Sequence, residues 1–189
     1  MDFKYTKKEL GNTSKTKLEE VKGIIIYSEP NYFDMEDTDI YNELVKINKE
    51  KKDVGYHYLI ADDSENVISL IPKEYKAINV KGKPTYISRG IFNEKPEDSS
   101  ISVYLCVNNK TDYEKLEVKF IKFLVSLLKE YKLNAKDVWR GFDLGKESYS
   151  PFHILNNDIF EKYIEELEKF IPSEENNGGI IEGIPQSEE

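Results

Sequence analysis

The sequence predicts an α/β fold, a single domain in which a central mixed sheet is flanked by helices. Three observations carry this. Short apolar runs of strand length alternate with stretches of helical periodicity, in the order β, α, β-β, long loop, β, α, β, α. The 189 residues suit one domain with a sizeable core. No internal repeat or low-complexity segment interrupts the order.

Residues 1–20 are polar and lysine-rich and are expected to form an arm over the surface. "VKGIIIYS" then predicts a buried strand over 22–28, ending unusually on Tyr27 and Ser28. Residues 38–50 predict a helix, because Ile40, Leu44 and Ile47 recur near every 3.6 residues, with Asp37 or Thr38 as its cap. "GYHYLIA" and "NVISLI" predict two strands, and the "DDSE" between them suits a hairpin turn.

Residues 72–100 read as a long irregular loop, punctuated by Pro72, Gly82, Pro84, Gly90 and Pro96. Such a loop is a lid, a binding rim or plain surface. "SSISVYLCVNN" predicts a central strand. The strongest helix follows, with Thr111 and Glu114 in a capping-box pattern and one apolar face from Leu116 to Tyr131. "KDVWRGF" predicts a short strand opening the loop "DLGKESYSP". A last helix is expected at 158–170, with Asp158 and Glu161 as capping box and Ile159, Tyr163, Ile164, Leu167 and Phe170 inward. Residues 172–189, rich in Gly, Pro and Glu, read as a flexible tail, which leaves 21–171 as the domain.

Composition narrows the function. A net charge of −9 without a basic stripe argues against nucleic acid as a partner. No stretch approaches the roughly 20 apolar residues that span a bilayer. "MDFKYTKKEL" leads into no apolar core of signal-peptide length, so a cytoplasmic location is the default expectation, with association with a phage particle or release at the cell wall as alternatives. Cys106 is the single cysteine, which rules out an internal disulfide, and its apolar strand reads it as a small buried hydrophobe.

Common catalytic motifs are missing. "GFDLGK" lacks the spacing of a phosphate loop, and neither Cys-x-x-Cys nor His-Glu-x-x-His occurs. Only two histidines exist, His57 and His153; His57, inside a predicted strand, reads as a hydrogen-bonded core or groove residue. The acid pairs Glu36/Asp37 and Asp62/Asp63 read as solvated turns.

The order and spacing of "DVGYHYLIADDSENVISLIP", "SISVYLCVNNKTDYEKLEVKFIKFLVSLLKEYKL" and "KDVWRGFDLGK" resemble the zinc-dependent N-acetylmuramoyl-L-alanine amidases. This is the amidase-2 family, related to T7 lysozyme and the peptidoglycan recognition proteins. The resemblance covers about residues 15–170, and the last two stretches look most like clostridial and phage endolysin amidases.

The resemblance implies where a zinc site would stand. The position of the first zinc histidine, at the end of strand one, holds Tyr27. The second, in an Arg-His-Tyr-Asp-like pattern, holds Gly141 between Arg140 and Phe142-Asp143. The third, before a proline, holds Ser150. A tyrosine near the metal in active relatives is matched by Tyr56, and a histidine at the rim of the site by Asn79.

A zinc site needs His, Cys or carboxylate donors, so the expectation is a catalytically inactive domain with no cofactor. Its groove would be lined by Tyr27, Tyr56, Asn79, Trp139, Arg140 and Asp143, and Trp139 would pack in the core or at the groove edge. The partner would be a peptidoglycan fragment or a protein, in cell-wall, phage or sporulation biology. A purely structural role, with the groove filled by Tyr27, stands beside this. The alternative is a divergent active amidase with a metal site rebuilt from residues such as Asp143, His153 and Tyr27.

Overall fold

The computed structural model describes residues 3–8, 10, 15–28, 37–50, 55–62, 66–79, 83–93, 95–145, 148, 150 and 154–171; of residues 37–40 it describes the backbone alone. Among the described residues six strands form one sheet: β1 (Tyr5–Lys7), β2 (Gly23–Tyr27), β3 (Tyr58–Ile60), β4 (Val67–Ser69), β5 (Ser100–Leu105) and β6 (Val138–Arg140). Their spatial order is β1-β4-β3-β5-β2-β6. β3 and β4 pair antiparallel and every other neighbouring pair is parallel, which makes the sheet mixed as expected. β5 is central, and all six of its residues are buried.

Helices cover both faces. Period-2 alternation splits the strands between them. Ile24, Ile26, Tyr58, Ile60, Ile101, Val103 and Leu105 point to one face. There they meet α3 (Tyr113–Tyr131) and α5 (Asn157–Glu168) through Leu116, Phe120, Phe123, Leu124, Leu127, Leu128, Tyr163 and Leu167. Ile25, Tyr27, Leu59, Ala61, Tyr104 and Cys106 point to the other face, under α1 (Asp37–Glu50), α2 (Tyr86–Phe92) and α4 (Gly141–Leu144). Two continuous apolar clusters, one per face, are what a three-layer α/β domain requires.

Several local expectations are revised. Within 1–20, Tyr5–Lys7 is no loose arm but an edge strand paired in parallel with β4. The cause is the spacing of Phe3 and Tyr5: both rings pack on Phe123, at 5.4 Å and 6.4 Å between centroids. The 72–100 segment holds α2 and a short 3-10 turn at Pro96–Asp98. α3 is capped by Asp112, whose carboxylate accepts from Lys115 N–H at 3.2 Å, one residue later than the Thr111 expected. Thr111 Oγ1 instead accepts from Asn108 N–H at 2.8 Å. α5 is capped by Asn156, which accepts from the amides of Asp158 and Ile159. Ile159 and Phe170, expected inward, are 41% and 54% exposed. The 172–189 tail and His153 lie outside the described residues.

Gly23 marks a close approach between layers. A Cβ there would stand 2.9 Å from the Asp137 carbonyl, 3.0 Å from Phe92 and 3.1 Å from Trp139. Glycine thus lets the end of α2 and the edge of β6 meet over the start of β2. Among the described residues, no helix is long and apolar enough to cross a membrane.

Candidate functional site

In open α/β sheets, ligand sites form at the carboxyl ends of parallel strands. β2 and β6 end side by side here. Ile26 pairs with Arg140, so Tyr27 and Gly141 are the next residues along two adjacent strands. Chain direction turns at once into α4, and Ser150 returns to the same place: its Oγ accepts from the Phe142 N–H at 3.2 Å. The fold therefore brings Tyr27, Gly141 and Ser150 to one end of the sheet.

Tyr27 is 2% exposed and its ring is wedged into an aromatic trio. Its centroid lies 5.2 Å from Tyr56, and Tyr56 lies 4.9 Å from Tyr104, both pairs tilted. Such tilted contacts are a favoured geometry for buried rings. The Tyr27 hydroxyl is buried without a hydrogen-bond partner. Burial pushes this phenol well above its usual range, with smaller contributions from Tyr56 and Glu97, so it stays protonated. Tyr104 was not foreseen; it lay inside the apolar run of β5, and only the alternation that sets Tyr104 and Cys106 on the Tyr27 face could have found it.

Asn79 is 6% exposed and donates through Nδ2 to the carbonyls of Ala77 and Gly55, at 2.9 and 3.3 Å. It braces the segment that carries Tyr56, while its Oδ1 is buried without a partner. His57, next to Tyr56, is committed at both ring nitrogens. The Ser102 N–H donates to Nδ1 at 2.9 Å, so the proton sits on Nε2 and is donated to the Tyr75 carbonyl at 2.9 Å. Burial lowers its pKa to about 4, which leaves a neutral structural imidazole rather than a base.

Arg140 and Asp143, expected to line a groove, are turned to each other. The five guanidinium N–H groups go to Asp143 Oδ2 and Oδ1 (both 2.9 Å), the carbonyls of Ile154 and Leu155 (both 3.1 Å) and Asn157 Oδ1 (3.0 Å). Asp143 also accepts from the Arg140 amide at 3.1 Å. The guanidinium is sandwiched by the rings of Phe142 and Phe160 at 4.6 and 4.5 Å. The pair fastens β6 and α4 to the start of α5. Trp139 is half-buried at the outer edge of β6, with its indole N–H buried and without a partner.

α2 closes over this region. Thr85 caps the helix by accepting from Ser88 N–H at 3.3 Å, and its hydroxyl donates to the Asp143 carbonyl. Its amide donates to the Leu144 carbonyl at 3.1 Å. Part of the 72–100 segment is thus latched to α4.

Zinc takes thiolate, imidazole or carboxylate donors. Tyr27 offers a protonated phenol, Gly141 no side chain, and Ser150 a hydroxyl already engaged by Phe142. These three residues do not fit zinc. Among the described residues, no group of three His, Cys, Asp or Glu side chains is arranged to hold a metal ion.

No family model and no curated protein matches the chain. Solved structures do. The structure of PlyL superposes with a TM-score of 0.63 at 20% identity, covering 88% of this chain and 97% of that one. A mutant endolysin from Bacillus subtilis gives 0.66 at 16% identity, with coverages of 88% and 99%. The N-acetylmuramoyl-L-alanine amidase LysC from Clostridium intestinale gives 0.56 at 16% identity, with coverages of 86% and 97%. The mixed sheet, its helical layers and the near-complete coverage of these domains give one result: the chain has the fold of the endolysin N-acetylmuramoyl-L-alanine amidases.

Proposed function

We propose that this chain is an amidase-fold domain that does not hydrolyse peptidoglycan and serves as a binding, structural or regulatory module in cell-wall, phage or sporulation biology. The observation that carries this reading is the convergence of Tyr27, Gly141 and Ser150 at the carboxyl end of β2 and β6. The resemblance assigns these positions to zinc ligands, and their chemistry supplies none. Without a metal, no water is activated there. His57 offers no substitute base, since both of its nitrogens are engaged.

The packing favours the structural form of this reading. Tyr27, Tyr56, Asn79, Arg140 and Ser150 are each at most 6% exposed, so the old cleft is filled by its own side chains. The ligand is then a protein or a peptidoglycan fragment held on the rim of the cleft rather than in its floor.

The test is a pair of measurements on purified protein: bound zinc by elemental analysis, and release of muropeptide ends from cell walls. Absence of both, with retention on insoluble peptidoglycan, supports a wall-binding module. Absence of both without retention supports a protein partner. Stoichiometric zinc with hydrolysis establishes the active amidase instead and sinks the proposal.

A further inference from the structure

The outer edge of the sheet carries a second feature. Among the described residues no strand lies beyond β6 in the sheet order, and residues of α5 line the same edge. Between them lies a cleft of about 390 Å³. Its floor is apolar: Val138, Trp139, Phe160 and Ile164. One wall is acidic, with Glu161, Glu165 and Glu168 at i, i+4 and i+7 along α5. That spacing puts the three carboxylates in a row about 10 Å long.

Two properties decide what fits. The edge disfavours strand addition. The Val138 amide donates to the Ala135 carbonyl and the Arg140 amide to Asp143, so the outward donors of β6 are taken by the chain itself. Recognition there goes through side chains. The charge is one-sided, because among the described residues Lys136 is the only cation lining the cleft, and it lies 4.0 Å from Glu168. Glu161 and Glu165 then face an apolar floor, and no cation among the described residues lines the cleft beside them. The complement is a peptide with an apolar side chain for the floor and Lys or Arg on either side.

We propose that the cleft between β6 and α5 is a docking surface for a basic segment of a partner protein, anchored by an apolar or aromatic side chain over Trp139, Phe160 and Ile164. The acidic row steers and registers the segment, and the floor holds it. This does not depend on whether the cleft at Tyr27 is active.

Trp139 makes the test direct, since it is the one tryptophan of the chain. It lines this cleft, so its emission responds to an occupant there. The intact protein is titrated with the tryptophan-free peptide KKLKFKK, and with EELEFEE as control. The expected result is a saturable change in Trp139 emission with the basic peptide only, weakened as salt rises. The double variant Glu161→Gln/Glu165→Gln is expected to bind about fivefold or more weakly. Glu43→Gln/Glu50→Gln on α1 changes net charge equally and is expected to bind like the parent protein. Circular dichroism of both variants checks that they are folded. No response to KKLKFKK, an equal response to EELEFEE, or equal affinity of the two double variants overturns the proposal.

Discussion

The rings of Tyr27 and Tyr56 lie 5.2 Å apart at a 49° tilt, and the Tyr27 hydroxyl above that contact has no hydrogen-bond partner. The ring and the hydroxyl therefore contribute oppositely. The ring fills a core position; the hydroxyl is desolvated for no return. Tyr27→Phe is expected to leave stability unchanged or raise it by up to about 1 kcal/mol. Tyr27→Ala, which empties the position, is expected to cost about 3–5 kcal/mol. Urea unfolding of the two variants checks this. A loss of more than about 1 kcal/mol in the Phe variant would mean the hydroxyl is satisfied.

Arg140 is expected to be intolerant of lysine. Its five donors reach two side chains and two carbonyls, and its planar face is held between Phe142 and Phe160. An ammonium offers three donors and no plane to stack. Arg140→Lys then leaves the largely covered Asp143 carboxylate with fewer partners. Both Arg140→Lys and Arg140→Ala are expected to destabilise, the alanine change by about 3–5 kcal/mol. A thermal melt of the lysine variant that matches the parent would show that the network adds nothing beyond charge.

Strands and long helices could be read from the sequence because their signals are local. "GIIIY" is an apolar run of strand length, and the stripe from Leu116 to Leu128 repeats at the helical period. What escaped was set by tertiary contact. α2 carries Gly90 and an exposed Tyr86, so its pattern is weak; it is fixed by the latch from Thr85 to Asp143 and Leu144. Tyr5–Lys7 is polar at two of three positions, and it becomes a strand because the rings of Phe3 and Tyr5 pack on Phe123 and hold it against the edge of β4. At the candidate site, Tyr27, Gly141 and Ser150 were linked by the family resemblance alone, since nothing in their own residue types or local pattern marks them as neighbours. The internal pairing of Arg140 with Asp143 was not, because a charged pair three residues apart in the sequence reads equally well as a groove or a buried brace.

His57 gives the protein a pH dependence. Its folded pKa is about 4, below the ordinary 6.5, because burial disfavours the charged ring. The unfolded chain therefore takes up a proton before the folded one does. The His57 contribution is fully present above pH 6.5 and is lost as pH falls from there through 4. The full shift corresponds to about 3 kcal/mol. With only two histidines in the chain, their ring signals are readily followed by NMR. One imidazole is expected to remain neutral at pH 5; if both titrate near 6.5, His57 is not held as described.

Tyr27→His bears on the reading of the site as a whole. The substitution restores one imidazole at the end of β2. Two positions are still without donors: Gly141 has no side chain, and the Ser150 hydroxyl accepts from Phe142. Zinc held by one protein ligand is weakly bound, since structural and catalytic sites use three or four. The single variant is therefore expected to take up no stoichiometric zinc and to release no muropeptide. Its imidazole, placed against Tyr56 where the Tyr27 ring is now wholly buried, is expected to stay neutral near pH 6. Elemental analysis after dialysis against zinc reads the first outcome, and a cell-wall release assay the second. If this single change produced a zinc-loaded hydrolase, the other two ligands would have to come from residues other than Gly141 and Ser150, and the assignment of those positions would fall.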